Sequence, residues 1–488
     1  MIKDENSLLK STFLLGSTQA IKIVIGVAST KLTAIFLGPS GVGILGLLNN
    51  IINLITTLTG LGIEFSGVRE VSIAKTRNDV NFFSRKILLL RRLMLLCAVL
   101  SALIMIVFSK QLSIWCFNDK KHNFWFVALS IVFFFNALRA FYNVVLQGAQ
   151  ELKLLAKSWL YASFFTTLVS GIIYYFLRID GILYVFISTA VINMIAGYYC
   201  FKKIKISHVK ISFHDFKTES MDFIKLGITF SINSFLSLGC MYLIRLYISK
   251  TASINSLGFY EAGITFSTYY VSFIFTAMTA DFYPKLTAVN NDTIKINSMV
   301  NKQIALTILI VTPAILFLYS TAPLLVELLY SKQFYPVIDI LKGISLAMVL
   351  KSVSWPLAYI VLAKGDRKTF FFQELFADSA NLILTIILFN FFGLLGVGIA
   401  QIFVYLFYGI YMYFTVLKRY KFMLEDFVKK IIINNLLLAV FGALIVYLIG
   451  YPNAFFIVPP IFFLSIFLSF KTLNKHFGLS ISKFINKK

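Results

Sequence analysis

Lys22, Arg139, Arg245 and Lys351 stand inside long apolar runs, and so do Glu261, Glu374 and Asp378. An ionisable side chain at mid-bilayer costs at least about 2.5–3.5 kcal/mol on insertion scales, so each one needs a partner or a task. Four cations on four separate segments suit a bulky anion, because a phosphate or pyrophosphate would take charge-assisted hydrogen bonds from Lys and Arg. Glu374 and Asp378 lie one helical turn apart, on a face with Asn381 and Thr385. Two carboxylates on one buried face make a proton or Na+ site; the alternative is an ion pair with Arg139 or with a lysine of another segment. Glu261 heads a stripe of Thr265, Thr268, Ser272 and Thr279 on an otherwise apolar helix, which turns such a stripe toward a protein interior or a water-filled cavity. Glu261 is grouped with Glu374 and Asp378 as a candidate for cation coupling.

Neutral polar residues surround the cations at helical spacing. Gln19, Lys22, Gly26, Ser29, Thr30 and Thr33 form one stripe, while Lys31 points the other way and is read as snorkelling to the outer interface. Asn136, Arg139, Asn143 and Gln147 form a second stripe. Lys351 is central in its segment, beside Ser354, Trp355 and a kink expected at Pro356, whereas Lys342 lies near the outer end. Arg245 shares a face with Gly227, Ser231 and Ser234 close to an outer end, where function and snorkelling are both open. Asn49, Asn53, Thr56, Gly60 and Glu64 share another face; its amides and hydroxyls serve either as glue between helices or as partners for sugar hydroxyls. The reading is that Lys22, Arg139, Lys351 and Arg245 meet the anion, and that Gln19, Asn49, Asn53, Asn136 and Asn143 line the cavity around its polar body.

The elements that must carry these residues follow from composition. The chain has 488 residues, 59% hydrophobic and only 14% charged, against about 25% charged in soluble domains. Apolar runs of spanning length recur to the end, too long and too continuous for β-barrel strands. The fold class is therefore all-α, a polytopic membrane protein with fourteen expected spans: 13–37, 41–63, 87–108, 124–147, 159–177, 182–201, 224–248, 258–282, 303–320, 339–362, 370–392, 395–417, 431–450 and 454–470. The first run is too long for a cleaved signal sequence and is retained as a span. The net charge of +24 is not read as a nucleic-acid footprint. Of the 45 Lys and Arg, Lys110, Lys120, Lys121, Arg178, Lys250 and Lys332 fall in loops on one side, Lys22, Lys31, Arg139, Arg245, Lys342 and Lys351 lie well within spans, and the other 33 fall in the segments of the opposite side and their helix ends. The basic side is cytoplasmic, so both termini are expected there. The four cysteines lack CxxC spacing, the four histidines all lie in loops, and no Walker A sequence occurs, so neither a metal centre nor ATP hydrolysis is expected. Loops on the outer side are too short to house a membrane glycosyltransferase or polymerase site.

The chain also repeats. A shift of 215 residues lays Gly43 on Gly258 and Gly181 on Gly396, each opening a span after a short turn. The expected domains are a six-helix bundle over 1–201, a cytoplasmic linker over 202–223, a second six-helix bundle over 224–417, and two extra helices with a basic tail over 418–488. Two such bundles imply a pseudo-twofold axis with a site between them.

FLGPSGVGILGLLNNI after the first span, LGFYEAGITFSTYY, DFYPKLT, LLYSKQF and VLKSVSWPLAYIVLAKGDRKTFFFQE resemble the O-antigen flippases. These are Wzx-type translocases of the multidrug/oligosaccharidyl-lipid/polysaccharide exporter superfamily. The resemblance covers spans 1–12. It implies a V-shaped pair of bundles with alternating access and an undecaprenyl-diphosphate-linked oligosaccharide loaded at the cytoplasmic face and released at the periplasmic face of the inner membrane. It implies no enzyme activity and no cofactor beyond coupling to a proton or sodium gradient or to the membrane potential. Membrane lipid, a polysaccharide polymerase and a chain-length regulator are the implied partners, and nucleic acid is not one. Spans 13 and 14 depart from the twelve-span relatives. The competing reading is a cation-coupled drug antiporter of the same fold, which would prefer a more acidic cavity than these basic residues make.

Overall fold

The computed structural model describes residues 2–77, 79–117, 119–207, 209, 213–266, 272–451 and 453–477. Thr268 lies outside them, as do the side chains of Gln19 and Ser272. The described chain is helical throughout: α1 (Ile2–Gly60), α2 (Ile63–Thr76), α3 (Val80–Val107), α4 (Ser109–Phe117), α5 (Asn123–Gly148), α6 (Leu152–Leu177), α7 (Ile182–Phe201), α8 (Phe213–Thr251), α9 (Ile254–Phe266), α10 (Ser272–Ala288), α11 (Thr293–Leu329), α12 (Val337–Ala363), α13 (Arg367–Tyr420), α14 (Asp426–Leu448) and α15 (Ala454–Phe477). Among the described residues, ten helical stretches are long and apolar enough to cross a membrane. Helix is the form these apolar runs must take, because it satisfies every backbone N–H and C=O within the segment. The protein is an all-α, multi-pass membrane protein.

The chain divides into two compact units, Met1–Gly258 and Phe259–Lys488. In the first, α5 packs among α2, α3 and α7, and α1 lies along α6, α3 and α8. Phe141, Tyr142, Val145, Leu90 and Phe223 are at its core. Within the segment expected as a cytoplasmic linker, 202–223, Ser207 and Glu219 are bonded to α3. The Ser207 N–H donates to Ser84 Oγ (2.9 Å) and its hydroxyl to Asn81 Oδ1 (3.0 Å), while Glu219 pairs with Arg85 (2.6 Å) and Lys86 (3.1 Å).

In the second unit, α12 packs on both arms of α13, and α11 packs on α12, α14 and α15. A Cβ on Gly343 would lie 2.1 Å from the Gly398 carbonyl carbon, so the backbones of α12 and the second arm of α13 touch there. The loop into α14 is held by two asparagines of α11. The Met423 N–H donates to Asn297 Oδ1 (2.9 Å), the Glu425 N–H to Asn301 Oδ1 (3.0 Å), and Asn301 Nδ2 donates to the Met423 carbonyl (2.9 Å). Asp366 joins the two ends of α13. As N-cap it accepts from the Thr369 N–H (3.0 Å) and hydroxyl (2.7 Å), and Tyr420 (2.9 Å) and Arg419 (3.0 Å) donate to it from the far end. These bonds, that from the Thr369 N–H foremost, hold its carboxyl down at about 2, so it stays ionised at any physiological pH.

The repeat seen in the glycines extends to backbone conformation. Gln150 (φ 60) and Gly365 (φ 68) are 215 positions apart, and each ends one helix just before an acidic N-cap position, Glu151 or Asp366. Asp79 and Asp292 cap α3 and α11 through the same pair of backbone N–H groups, two and three residues on. Arg178 (φ 50, ψ −130) and Gly393 (φ 56, ψ −133), again 215 apart, break their helices in one conformation. Gly181 then packs over the carbonyl of Ile173 and Gly396 over that of Leu388.

At Gly393 that conformation suits the residue; at Arg178 it does not. A non-glycine residue there carries strain of about 1–3 kcal/mol, offset in part by the guanidinium, which donates to the Phe36 carbonyl (3.3 Å) and lies over the Phe36 ring (5.5 Å). Arg178→Gly should relieve the strain at a chain-flexibility cost of about 0.5–1 kcal/mol, whereas Arg178→Ala keeps the strain and loses both contacts. The expected order of unfolding temperature in detergent is Gly variant at or above wild type, Ala variant below. An Ala variant as stable as the Gly variant would show that the backbone is unstrained.

Candidate functional site

Gly393 folds α13 back on itself, and the two arms with α12 line a half-open cavity of about 440 Å³ in the second unit. Lys351 and Ser354 from α12, Glu374, Asp378 and Asn381 from the first arm, and Gln401, Tyr405 and Tyr408 from the second line it. The Lys351 ammonium stands 5.0 Å from the Phe275 ring and 5.5 Å from the Tyr405 ring. Cation–π contact of this kind is worth about 0.5–2 kcal/mol and keeps the charge in place without using a carboxylate. Glu374 accepts from Gln373 Nε2 (3.3 Å), and the other Gln373 amide atom, Oε1, is buried with no hydrogen-bond partner. Asn381 Oδ1 accepts from Gln401 Nε2 (2.7 Å) and from the Thr385 hydroxyl (3.2 Å), a bond network that pins the two arms together.

The first unit holds a smaller pocket of about 90 Å³ between α1, α2, α3 and α5. Asn53, Thr56, Glu64, Asn136 and Arg139 line it. Thr59 and Ser101, their hydroxyl oxygens 2.6 Å apart, close its wall between α1 and α3. Lys22 lies outside that lining, 4.9 Å above the Trp159 ring of α6 and close enough to Arg139 for their charges to interact.

The structure thus brings several expected residues together and leaves others apart. Lys351, Glu374 and Asp378, read as serving different ligands, share one cavity. Asn53, Asn136 and Arg139 share the smaller pocket. Asn49 is exposed, and the Asn143 amide oxygen is buried without a hydrogen-bond partner outside both linings. Arg245 is 7% exposed, donates to the Met241 carbonyl (3.2 Å) on its own helix, and lies in neither lining. Glu261 is half-buried and also lies in neither. Lys342 pairs with Asp339 (2.8 Å), as suits an interfacial residue. Gln401, Tyr405 and Tyr408 were not anticipated. Their spacing of four and three along one face of α13 was the available signal, with Gln401 a lone amide in an apolar run.

The repeat links the two sites. Lys351 and Ser354 of α12 stand 215 residues after Asn136 and Arg139 of α5, so equivalent helices carry a cation and a neutral polar residue, one turn apart, in swapped order. A family model described as polysaccharide biosynthesis protein matches residues 32–339. The chain belongs to that family. No curated protein sequence matches it at a significant level. Among solved structures this family member is similar to the lipid II flippase MurJ in an inward closed conformation, with TM-score 0.70 and 14% identity over 96% of this chain and 100% of that one. It is equally similar to a multidrug resistance MATE family transporter of the MOP superfamily in its inward-facing conformation, with TM-score 0.70 and 15% identity over 86% and 99%. A MOP superfamily transporter from Pyrococcus furiosus, described as having a binding pocket of reversed polarity, matches with TM-score 0.57 and 16% identity over 84% and 95%. At these identities the likeness concerns the fold.

If the Asn381–Gln401 bond pins the arms of α13, Gln401→Leu should lower stability by about 1 kcal/mol. The Asn381→Leu/Gln401→Leu double variant should then cost less than the two single changes together. Additive unfolding free energies in detergent would mean that the bond contributes nothing.

Proposed function

We propose that this protein is a flippase that carries an undecaprenyl-diphosphate-linked oligosaccharide from the cytoplasmic to the periplasmic face of the bacterial inner membrane. One observation carries the reading: Arg139 and Lys351 line internal pockets on repeat-equivalent helices, and among the described residues no ion pair consumes either charge. The diphosphate meets Arg139 and Lys351, with Lys22 beside Arg139 and Arg245 as a further cation. The amides of Asn53, Asn136 and Gln401 meet sugar hydroxyls; Gln19, Asn49 and Asn143 complete the glycan-facing set read from the sequence. The lipid tail remains in the bilayer. Membership of the polysaccharide biosynthesis family and a fold shared with a lipid II flippase support this reading.

Glu374 and Asp378 bind or relay the coupling cation, with Glu261 as a third candidate. Their place in the Lys351 cavity gives coupling a direct route, since a cation on the carboxylates strengthens the local field for an anion on the lysine. The inside-negative potential assists as well, at about 2.3 kcal/mol per 100 mV for each negative charge moved outward.

Arg139→Gln and Lys351→Gln should each lose about 1.5–3 kcal/mol of binding to the diphosphate, the scale of a charge-assisted hydrogen bond, with the Arg/Lys exchanges milder. The measurement is complementation of a flippase-deficient strain at matched membrane levels. Asp378→Asn should reduce the dependence of transport on the ion gradient. Full complementation by both Gln variants would overturn the assignment of the cations, and loss of drug resistance in place of glycan export would favour the antiporter.

We propose fourteen spans. The breaks at Gly38, at 178–181 and at Gly393 divide three of the ten long helical stretches, and α9 with α10 makes one more. Both termini are cytoplasmic, on the basic asymmetry of the loops. A cysteine placed at Asn123 should react with an impermeant thiol reagent from outside intact spheroplasts; reaction only after permeabilisation would reverse the orientation.

A further inference from the structure

A groove of about 490 Å³ lies between the start of α13 and its last turns, and it shares no lining residue with the Lys351 cavity. Lys368, Lys418 and Arg419 bring three cations to one end of it. Arg419 is partly neutralised by Asp366 (3.0 Å), while among the described residues neither lysine is paired with a carboxylate. The other wall is aromatic. Phe372 and Phe414 are 49% and 53% exposed, and Tyr411 is stacked on Phe376 with ring centroids 4.7 Å apart. The Thr369 and Thr415 hydroxyls already donate to Asp366 and to the Tyr411 carbonyl, so the available donors are the three cations.

We infer that this groove binds an anionic glycerophospholipid of the cytoplasmic leaflet, its phosphate on Lys368 and Lys418 and its acyl chains against Phe372 and Phe414. Charge sets the sign of the headgroup, since two unpaired lysines beside a half-neutralised arginine leave a net positive site. The exposed rings select a lipid over free phosphate, because an inorganic anion gains nothing from them. The position suits a leaflet-specific site, as basic clusters at cytoplasmic helix ends attract anionic headgroups. Asp366 ties both ends of α13 together beneath the groove, so its walls are held at fixed separation before lipid arrives.

Native mass spectrometry of the purified full-length protein tests this, with phosphatidylglycerol, phosphatidylcholine of the same acyl chains, undecaprenyl phosphate and inorganic phosphate as probes. Wild type should retain phosphatidylglycerol about thirtyfold better than phosphatidylcholine, the scale expected of two lysines at an anionic surface. Lys368→Gln/Lys418→Gln should abolish that preference and Lys368→Arg/Lys418→Arg should keep it, with both proteins eluting as wild type on size exclusion. Undiminished phosphatidylglycerol retention by the Gln double variant, or equal retention of the two phospholipids by wild type, would overturn the site. Displacement of phosphatidylglycerol by undecaprenyl phosphate or by inorganic phosphate would overturn the choice of occupant.

Discussion

A peptide group left unpaired in hydrocarbon costs several kcal/mol, and this constraint shapes the whole chain. It forces the apolar runs into helices and restricts where they can be interrupted. Gly38, Arg178 and Gly393 break the helical path with positive φ, each at a turn between apolar runs. The interruption at Gly393 returns α13 on itself and sets Asn381 against Gln401, so a backbone constraint becomes the wall of a cavity. A second constraint is then the cost of polar atoms inside that wall. Asn381 and Gln401 bond to each other, and Lys351 rests against aromatic faces.

Two copies of one plan meet these constraints with different residues. Where the second unit uses Gly365 and Gly393, the first uses Gln150 and Arg178 in the same conformations. The helix-capping aspartates Asp79 and Asp292 are retained in both. The intramembrane cation has changed places by one helical turn, from Arg139 in α5 to the Lys351 position in α12. Backbone geometry has been kept more strictly than residue type, which is why literal identity between the halves is thin.

Much of the fold was legible because the apolar runs and paired glycines report directly on bilayer thickness and repeat. Lys351, Glu374 and Asp378 were visible as charges that hydrocarbon does not tolerate unexplained. Their sharing of one cavity was not visible, since helical spacing places residues on a face without saying which helix the face meets. Gln401 was hidden for the same reason: its partner Asn381 is twenty residues away, across the turn at Gly393. The bonds from Ser207 and Glu219 to α3 were equally unreadable, because a basic, polar loop looks the same docked or free.

The hold of α11 on the loop before α14 has a consequence for how this chain can vary. The hydrogen bonds of Asn297 and Asn301 to this loop go to main-chain atoms of Met423 and Glu425. Such a clasp is indifferent to the identity of the residues it grips. Met423 and Glu425 can exchange their side chains while these bonds persist, whereas Phe422 beside them is fixed by its burial. The specificity of these bonds resides on α11, and substitutions of Asn297 or Asn301 are the ones that would loosen them.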